Sequence, residues 1–504
     1  MNEFNLSLKS KGTGWLGKGL ISKAYVIGAL LLAQHLTSCK SSVDFYEAKT
    51  VYSSRGKTVF PPPGMVYVPS GTVIYKSSAE GDRKVSLSPF FMDATEVTNY
   101  QYRDFVNWVA DSIAVVDILK DEKFFLSAKK LKSKSKVKPS KKSKGSAATA
   151  SSSTSEPASN VTKLIDWSKV RPHGSRNPLW QSPDPDIQSK LQQSNFVIEI
   201  NGRNTLNKDI VKYGYYFRHS SGPNADKYIK ETVSVLPETD VWGNDFPNSQ
   251  VELMTENYYQ TKAFDHYPVV GVSWLQARAY ANWRTKTSAT LLARNNTLRH
   301  SALYYSLPTE AQWQYAASGG ASPDDKEALK KNAVLTYKDK KSKKDKLLVN
   351  YKQSEGQYTE DGSTFTLPVK SYAPNTFGLY NMNGNVAEWT LDAFSPSAIE
   401  FVHDLNPVLQ YDADSNAPAA MKRKVIRGGS WKDGRQTLDI ETRNYELQDK
   451  SHSYIGFRCV MPAVEVITDQ VRTRKPKELL EKSKKGGSDE KKTKSKKGSD
   501  KKSA

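Results

Sequence analysis

Cysteine is almost absent: Cys39 and Cys459 are the only two in 504 residues. That excludes a disulfide framework. Seven histidines scattered singly, with no His-x-x-x-His pair and no cysteine cluster, argue against a zinc site. Phosphate-cradling glycine loops and a Gly-x-Ser-x-Gly nucleophile motif are missing too, so neither nucleotide chemistry nor that hydrolase chemistry is indicated. Long hydrophobic runs are lacking: the apolar stretch 24–36 is too short to span a bilayer as a helix. Hydrophobic residues make up 37% and the mean hydropathy is −0.63, so part of the chain must be solvated.

Charge shows which part. Nine lysines and no acid lie between Lys129 and Lys144, and from Arg472 onward 14 Lys and Arg stand against five acids. Each run carries +9, so the two together supply 18 of the formal +21 and the rest of the chain is near neutral. Both runs are rich in Lys, Ser and Gly, whereas nucleic-acid surfaces favour Arg and stacking rings, so no nucleic-acid partner is expected. They read as solubilising segments. A sharper reading is attraction to anionic lipid or lipopolysaccharide phosphates, worth ~1 kcal/mol per lysine within about a Debye length of the surface.

Leu36-Thr37-Ser38-Cys39 resembles a bacterial lipobox, with Lys9, Lys11, Lys18 and Lys23 ahead of the apolar run. The resemblance implies a signal peptide over 1–38 and acylation of Cys39, with two or more chains anchoring the protein in lipid. Residues 39–60 then form a polar tether, 61–465 the folded domain and 466–504 a Lys-rich tail. Cys459 is left without an intramolecular partner.

Within the domain, Met65 to Gly71 reads as a strand running into a turn, and Val85 to Met92 as a second strand. Three helix starts share one device: Thr98/Gln101, Ser273/Gln276 and Thr309/Gln312 each have capping-box spacing. Tyr102, Phe105, Val106 and Val109 then recur on one helical face, and Gly319-Gly320 stops the third helix. Between the first two helices lies a large insertion. Its first part, about 120–160, is low-complexity; its second, about 161–262, carries Trp167, Trp180, Tyr213, Tyr215, Tyr216, Phe217 and Trp242 and is expected to fold against the domain, with exposed aromatics left for a partner. Trp274, Trp283, Trp313 and Trp389 are expected in the core.

Four segments in order carry a specific resemblance. They are Gly64-Met65-Val66 through Asp93-Ala94-Thr95-Glu96-Val97-Thr98-Asn99; Tyr267 to Trp274 with Leu307 to Trp313; Pro374 to Trp389; and Arg427-Gly428-Gly429-Ser430-Trp431 with Tyr454-Ile455-Gly456-Phe457-Arg458-Cys459. Together they resemble the formylglycine-generating enzyme, or sulfatase-modifying factor, family. The resemblance implies an α+β fold, irregular, with short strands and few helices, here interrupted by the large insertion.

It also implies two calcium sites. One would use the Asn381 and Glu388 side chains with the Gly384 and Val386 carbonyls, the other Asn350, the Tyr351 carbonyl, Asp361 and the Ser363 carbonyl. Oxygen ligands and glycine-permitted turns suit that hard cation. The family's oxidation of a substrate cysteine relies on copper held by a cysteine pair just after Gly-Gly-Ser. Here that stretch, Trp431 to Ile440, has no cysteine, and soft Cu(I) needs thiolates. Copper is therefore not expected, and the chain reads as a pseudoenzyme with no catalytic residues.

A narrower resemblance, to the GldK/PorK lipoproteins of gliding motility and type IX secretion, rests on Tyr100 to Ile113, Asp240 to Phe246 and His266 to Trp274, with GldJ lipoproteins next. It implies a scaffold on the periplasmic face of the outer membrane that self-associates in a ring with a GldN/PorN-like partner. The other class left open is an exported enzyme or ligand-binding module using a modified cleft.

Overall fold

The computed structural model describes residues 51–52, 58–59, 61–75, 81–126, 163–171, 177–200, 202–220, 224–294, 304–321, 336–338 and 345–463. Cys39, the signal segment, most of the tether, the Lys-rich run and the tail lie outside the described residues.

The domain begins with β1 (Met65–Val68) and β2 (Gly71–Tyr75), and β2 pairs antiparallel with β3 (Arg83–Leu87). The single strand expected over Val85 to Met92 is in fact two. Pro89 has no amide hydrogen to give to a ladder, and after it the chain changes sheets: β4 (Phe90–Asp93) pairs with β1 and with β13 (Val460–Pro462). β4 is central in that sheet and all four of its residues are buried, which explains its unbroken apolar run before Asp93.

All three capping boxes form. In α1 (Asn99–Ile113) the Thr98 hydroxyl accepts from the Gln101 amide and Gln101 reaches back to the Thr98 amide. Ser273 and Gln276 do the same at the start of α3 (Trp274–Arg294), and Thr309 and Gln312 at α4 (Glu310–Ala317). Each box satisfies two of the amides that a helix start leaves without partners. The α1 stripe of Tyr102, Phe105, Val106 and Val109 is buried against Tyr280 of α3 and Phe457.

After α1 the chain runs to Leu126 and is described again from Lys163, at the same place. Phe125 bridges Ile165, the Leu126 amide donates to the Leu164 carbonyl at 2.9 Å, and the Asp166 amide to the Phe124 carbonyl at 2.7 Å. The described residues on either side of 127–162 are therefore paired with one another. The insertion continues with α2 (Pro185–Gln193), the hairpin β5 (Val197–Ile200) and β6 (Arg203–Leu206), and the hairpin β7 (Lys212–Arg218) and β8 (Tyr228–Ser234). Leu191, Phe196, Tyr213 and Tyr215 join the same core as α1 and α3.

A second sheet is ordered β11 (Asn444–Leu447), β10 (Arg423–Arg427), β9 (Ala387–Ala393), β12 (Ile455–Gly456), antiparallel except for the β9–β12 pair. Trp274, Trp313 and Trp389 are fully buried, while Trp283 is only partly so. The architecture is α+β: among the described residues only four helices exceed seven residues and no strand exceeds seven.

Candidate functional site

The four sequence segments converge on one buried polar centre. Arg458, fully buried, holds the Glu388 carboxylate through Nε at 2.7 Å and Nη2 at 2.6 Å, and its remaining donors go to the Asp93 and Tyr380 carbonyls. Glu388 Oε2 also accepts from Trp313 Nε1 at 2.9 Å. Beside it, the buried Glu96 carboxylate accepts from Asn385 Nδ2 at 2.8 Å and from Asn381 Nδ2 at 3.1 Å. Asn381 and Asn385 both take positive φ, 49° and 62°, which asparagine tolerates. Burial pushes the Glu96 acid up to about 7; the nearby Glu388 charge adds to that, while Arg458 and the Asn385 hydrogen bond oppose it.

The first calcium expectation meets side chains that are already engaged. Both Glu388 oxygens are taken by Arg458 and Trp313, and the Asn381 amide nitrogen is turned toward Glu96. Gly384 serves a different end, since a Cβ there would sit 2.3 Å from the Asn350 carbonyl oxygen. The Asn385 amide, one residue on, donates to that oxygen at 2.8 Å, so the loop carrying Gly384 and Val386 is sewn to its neighbour. A hard dication needs an available anionic oxygen, and this set, with its one carboxylate neutralised by a buried guanidinium, does not fit calcium.

The second set fits better, because its carboxylate has no cation beside it among the described residues, although the Tyr351 carbonyl already accepts from Gln353 Nε2. Asp361 Oδ1 accepts from the Ser363 amide at 3.0 Å, while Asp361 Oδ2 and Gln353 Oε1 are buried without a hydrogen-bond partner. Burial raises the Asp361 acid, against weaker pulls from the Ser363 and Tyr351 amides and the Gln353 side chain. Two unsatisfied oxygens on one loop are what a bound cation would repair. Asn350, the Tyr351 carbonyl, Asp361 and the Ser363 carbonyl would hold it, with Gln353 as a further oxygen donor that the sequence reading missed.

After Gly428 and Gly429 the chain turns tightly: the Ser430 hydroxyl donates to Asp433 Oδ2 at 2.6 Å and the Thr437 amide to the Gly434 carbonyl at 3.1 Å. Arg427, Asp433, Thr437, Thr442 and Asn444 line a cleft there of about 220 Å³, its open mouth included. A carboxylate and hydroxyls offer no soft ligand, so the residues present do not fit copper. Cys459 lies elsewhere, fully buried between β12 and β13, its amide bound to Asp93 Oδ2 at 2.9 Å. Burial, with the Asp93 charge, drives its thiol far above the usual range.

Beside the cleft, Trp431 is covered by the segment that follows β8. Trp242 stacks on it with ring centres 5.9 Å apart, and Phe246 lies at 5.2 Å. Asp245 fastens this contact: Oδ1 meets His452 Nδ1 at 2.7 Å, and Oδ2 accepts from the Ser453 amide and hydroxyl, both at 2.7 Å. His452 Nε2 faces Glu446 Oε2 at 3.1 Å. Burial lowers the His452 pKa, but the two carboxylates outweigh it and hold the imidazole up at about 9.

The model of the sulfatase-modifying factor enzyme 1-like domain matches residues 50–170 and 212–463. The chain belongs to this family. The hairpin β7–β8 and the Trp242 segment thus fall inside the family match, while α2 and the hairpin β5–β6 fall outside it. Among relatives, a formylglycine-generating enzyme of Streptomyces coelicolor is 32% identical over 204 residues, 39% of this chain and 54% of that protein. The inactive C-alpha-formylglycine-generating enzyme 2 of Bos taurus is 30% identical over 203 residues, 39% and 51% respectively. The chain therefore spans about half the length of these curated relatives. A solved structure, PvdO from Pseudomonas aeruginosa, aligns over 82% of this chain and 98% of its own at 14% identity, with a TM-score of 0.38, and carries no argument about activity.

Proposed function

We propose that this member of the sulfatase-modifying factor family is a non-catalytic scaffold rather than an oxidase. One observation carries the reading: the loop after Gly429 offers Asp433, Thr437 and a buried Leu438, without a thiol, and Trp431 beside it is packed under Trp242. A relative named as inactive gives the loss of this chemistry a precedent in the family. The alternative is an exported enzyme or ligand-binding module using this cleft, whose lining of Arg427, Asp433, Thr437, Thr442 and Asn444 would have to bind by hydrogen bonds and charge.

The finer reading is that acylated Cys39 anchors the protein in the outer membrane, facing the periplasm. There it acts as a GldK/PorK-like part of the type IX secretion and gliding machinery, in a ring with a GldN/PorN-like protein. The lipobox, the insertion and the missing cysteine pair together support it. Mild-detergent extraction followed by sizing and mass spectrometry tests it. An assembly many times the mass of the 56.4 kDa chain, containing a GldN/PorN-like protein, is expected. A lone monomer in the extract, or a protein found in the soluble fraction, would overturn it.

A further inference from the structure

The hairpin β7–β8 alternates cleanly. Tyr213, Tyr215, Phe217 and Glu231 point inward, where Glu231 meets Arg278 at 2.6 Å. The opposite face has no such cover. Tyr216 is 64% exposed and Tyr228 73%, the largest exposed rings of the insertion. Cross-strand register sets Tyr216 opposite Lys230 and Tyr228 opposite Arg218, so the two rings are diagonal neighbours on one face. Gly214 keeps the middle of that face low; a Cβ there would lie 3.1 Å from Lys230 Cε.

We propose that this outward face docks an acidic, extended segment of a partner protein. Lys212, Arg218 and Lys230 all point outward, and Asp226, paired with Arg218 at 2.6 Å, is the one acid in ion-pair contact with them among the described residues. The face is therefore net positive and calls for an anionic occupant. Tyrosine and arginine are the usual anchors of protein interfaces. The hairpin forms a two-stranded sheet of its own, leaving strand edges to which an extended chain can add. A lipid surface suits it less, because the outward positions hold Lys, Gly, Tyr, Arg, Thr and Ser and no wedge of Leu, Phe or Trp.

The proposal does not depend on ring assembly, and its test is separate. The full chain is titrated into a labelled peptide of about twelve alternating Glu and Val residues, with a Gln-for-Glu peptide as control. Two double variants are compared, Tyr216→Ser with Tyr228→Ser, and Lys212→Glu with Lys230→Glu. We expect saturable binding that weakens about tenfold or more in each variant at an unchanged unfolding midpoint, and that is absent with the Gln peptide. Should the tyrosine variant not fold, the charge-reversal pair carries the test alone. Unaltered binding in the variants would assign it to the Lys-rich segments and overturn the proposal, as would no binding at all. Loss of binding to phosphatidylglycerol vesicles, or of self-association, with peptide binding intact would also overturn it.

Discussion

Replacing Arg458 by Met tests the polar centre that joins the four family segments. The Arg458 and Glu388 side chains are 0% and 1% exposed and 2.6 Å apart, so water cannot take over for a lost partner. The substitution strips Glu388 of its cation, leaves Glu96 beside a second bare carboxylate, and removes donors from the Asp93 and Tyr380 carbonyls. Breaking a buried pair from one side costs about 3–5 kcal/mol, a large share of the roughly 5–15 kcal/mol that holds a domain folded. Urea unfolding should show that loss at pH 7.5 and a smaller one at pH 5, where an uncompensated carboxylate takes up a proton more readily. Adding Glu388→Gln should restore at least ~2 kcal/mol, because a neutral amide need not be desolvated as an ion. A cost below about 1 kcal/mol for the single variant, or strict additivity in the double one, would refute the reasoning.

Glu96 has its folded pKa raised from 4.5 to about 7, so the unfolded chain releases this proton first. Its contribution is most favourable below pH 4.5 and is lost as pH rises through 7; Glu96→Gln should flatten that part of the stability–pH curve, leaving a residual slope from Asp392, which burial and the neighbouring Glu310 charge also raise to about 7. His452 has the same sign in a higher window: raised from 6.5 to about 9, it stabilises fully below 6.5 and ceases to as pH passes 9. His452→Ala should cost about 1–2 kcal/mol, a figure discounted for partial exposure, and speed proteolytic cutting between Val241 and Phe264; unchanged cutting would count against the Asp245 clamp. For calcium, a chelator should lower the unfolding midpoint of the native chain and leave that of Asp361→Asn unmoved. A chelator effect that persists in Asp361→Asn would move the cation elsewhere.

Local chemistry was legible in the sequence and long-range pairing was not. A capping box is written within four residues and the α1 stripe within eight, so Thr98, Ser273 and Thr309 each mark a real helix start. Strand Val85 to Met92 was misread as one element because its apolar content outweighed Pro89, whose effect is to switch sheets. The family segments pointed to Asn381 and Glu388, but nothing near Glu388 announces that Arg458, 70 residues on, will neutralise it. Glu96 and Asn385 stood inside the quoted segments and were missed. An acid placed just before a helix cap and an asparagine after a turn glycine look like ordinary loop residues until the fold buries both. In the insertion the aromatics were visible, and period-two alternation separates the buried Tyr215 from the exposed Tyr216.

The central claim is that this family member has lost its oxidative chemistry, and peptide oxidation tests it most directly. The full chain is supplied with Cu(I), a reductant and dioxygen, and offered a cysteine-containing sulfatase peptide, with the peptide followed by mass spectrometry. The account predicts that the chain retains no copper after dialysis and that the peptide cysteine survives as it does with copper alone. Conversion of that cysteine to formylglycine by the chain, above the copper-only rate, would contradict it.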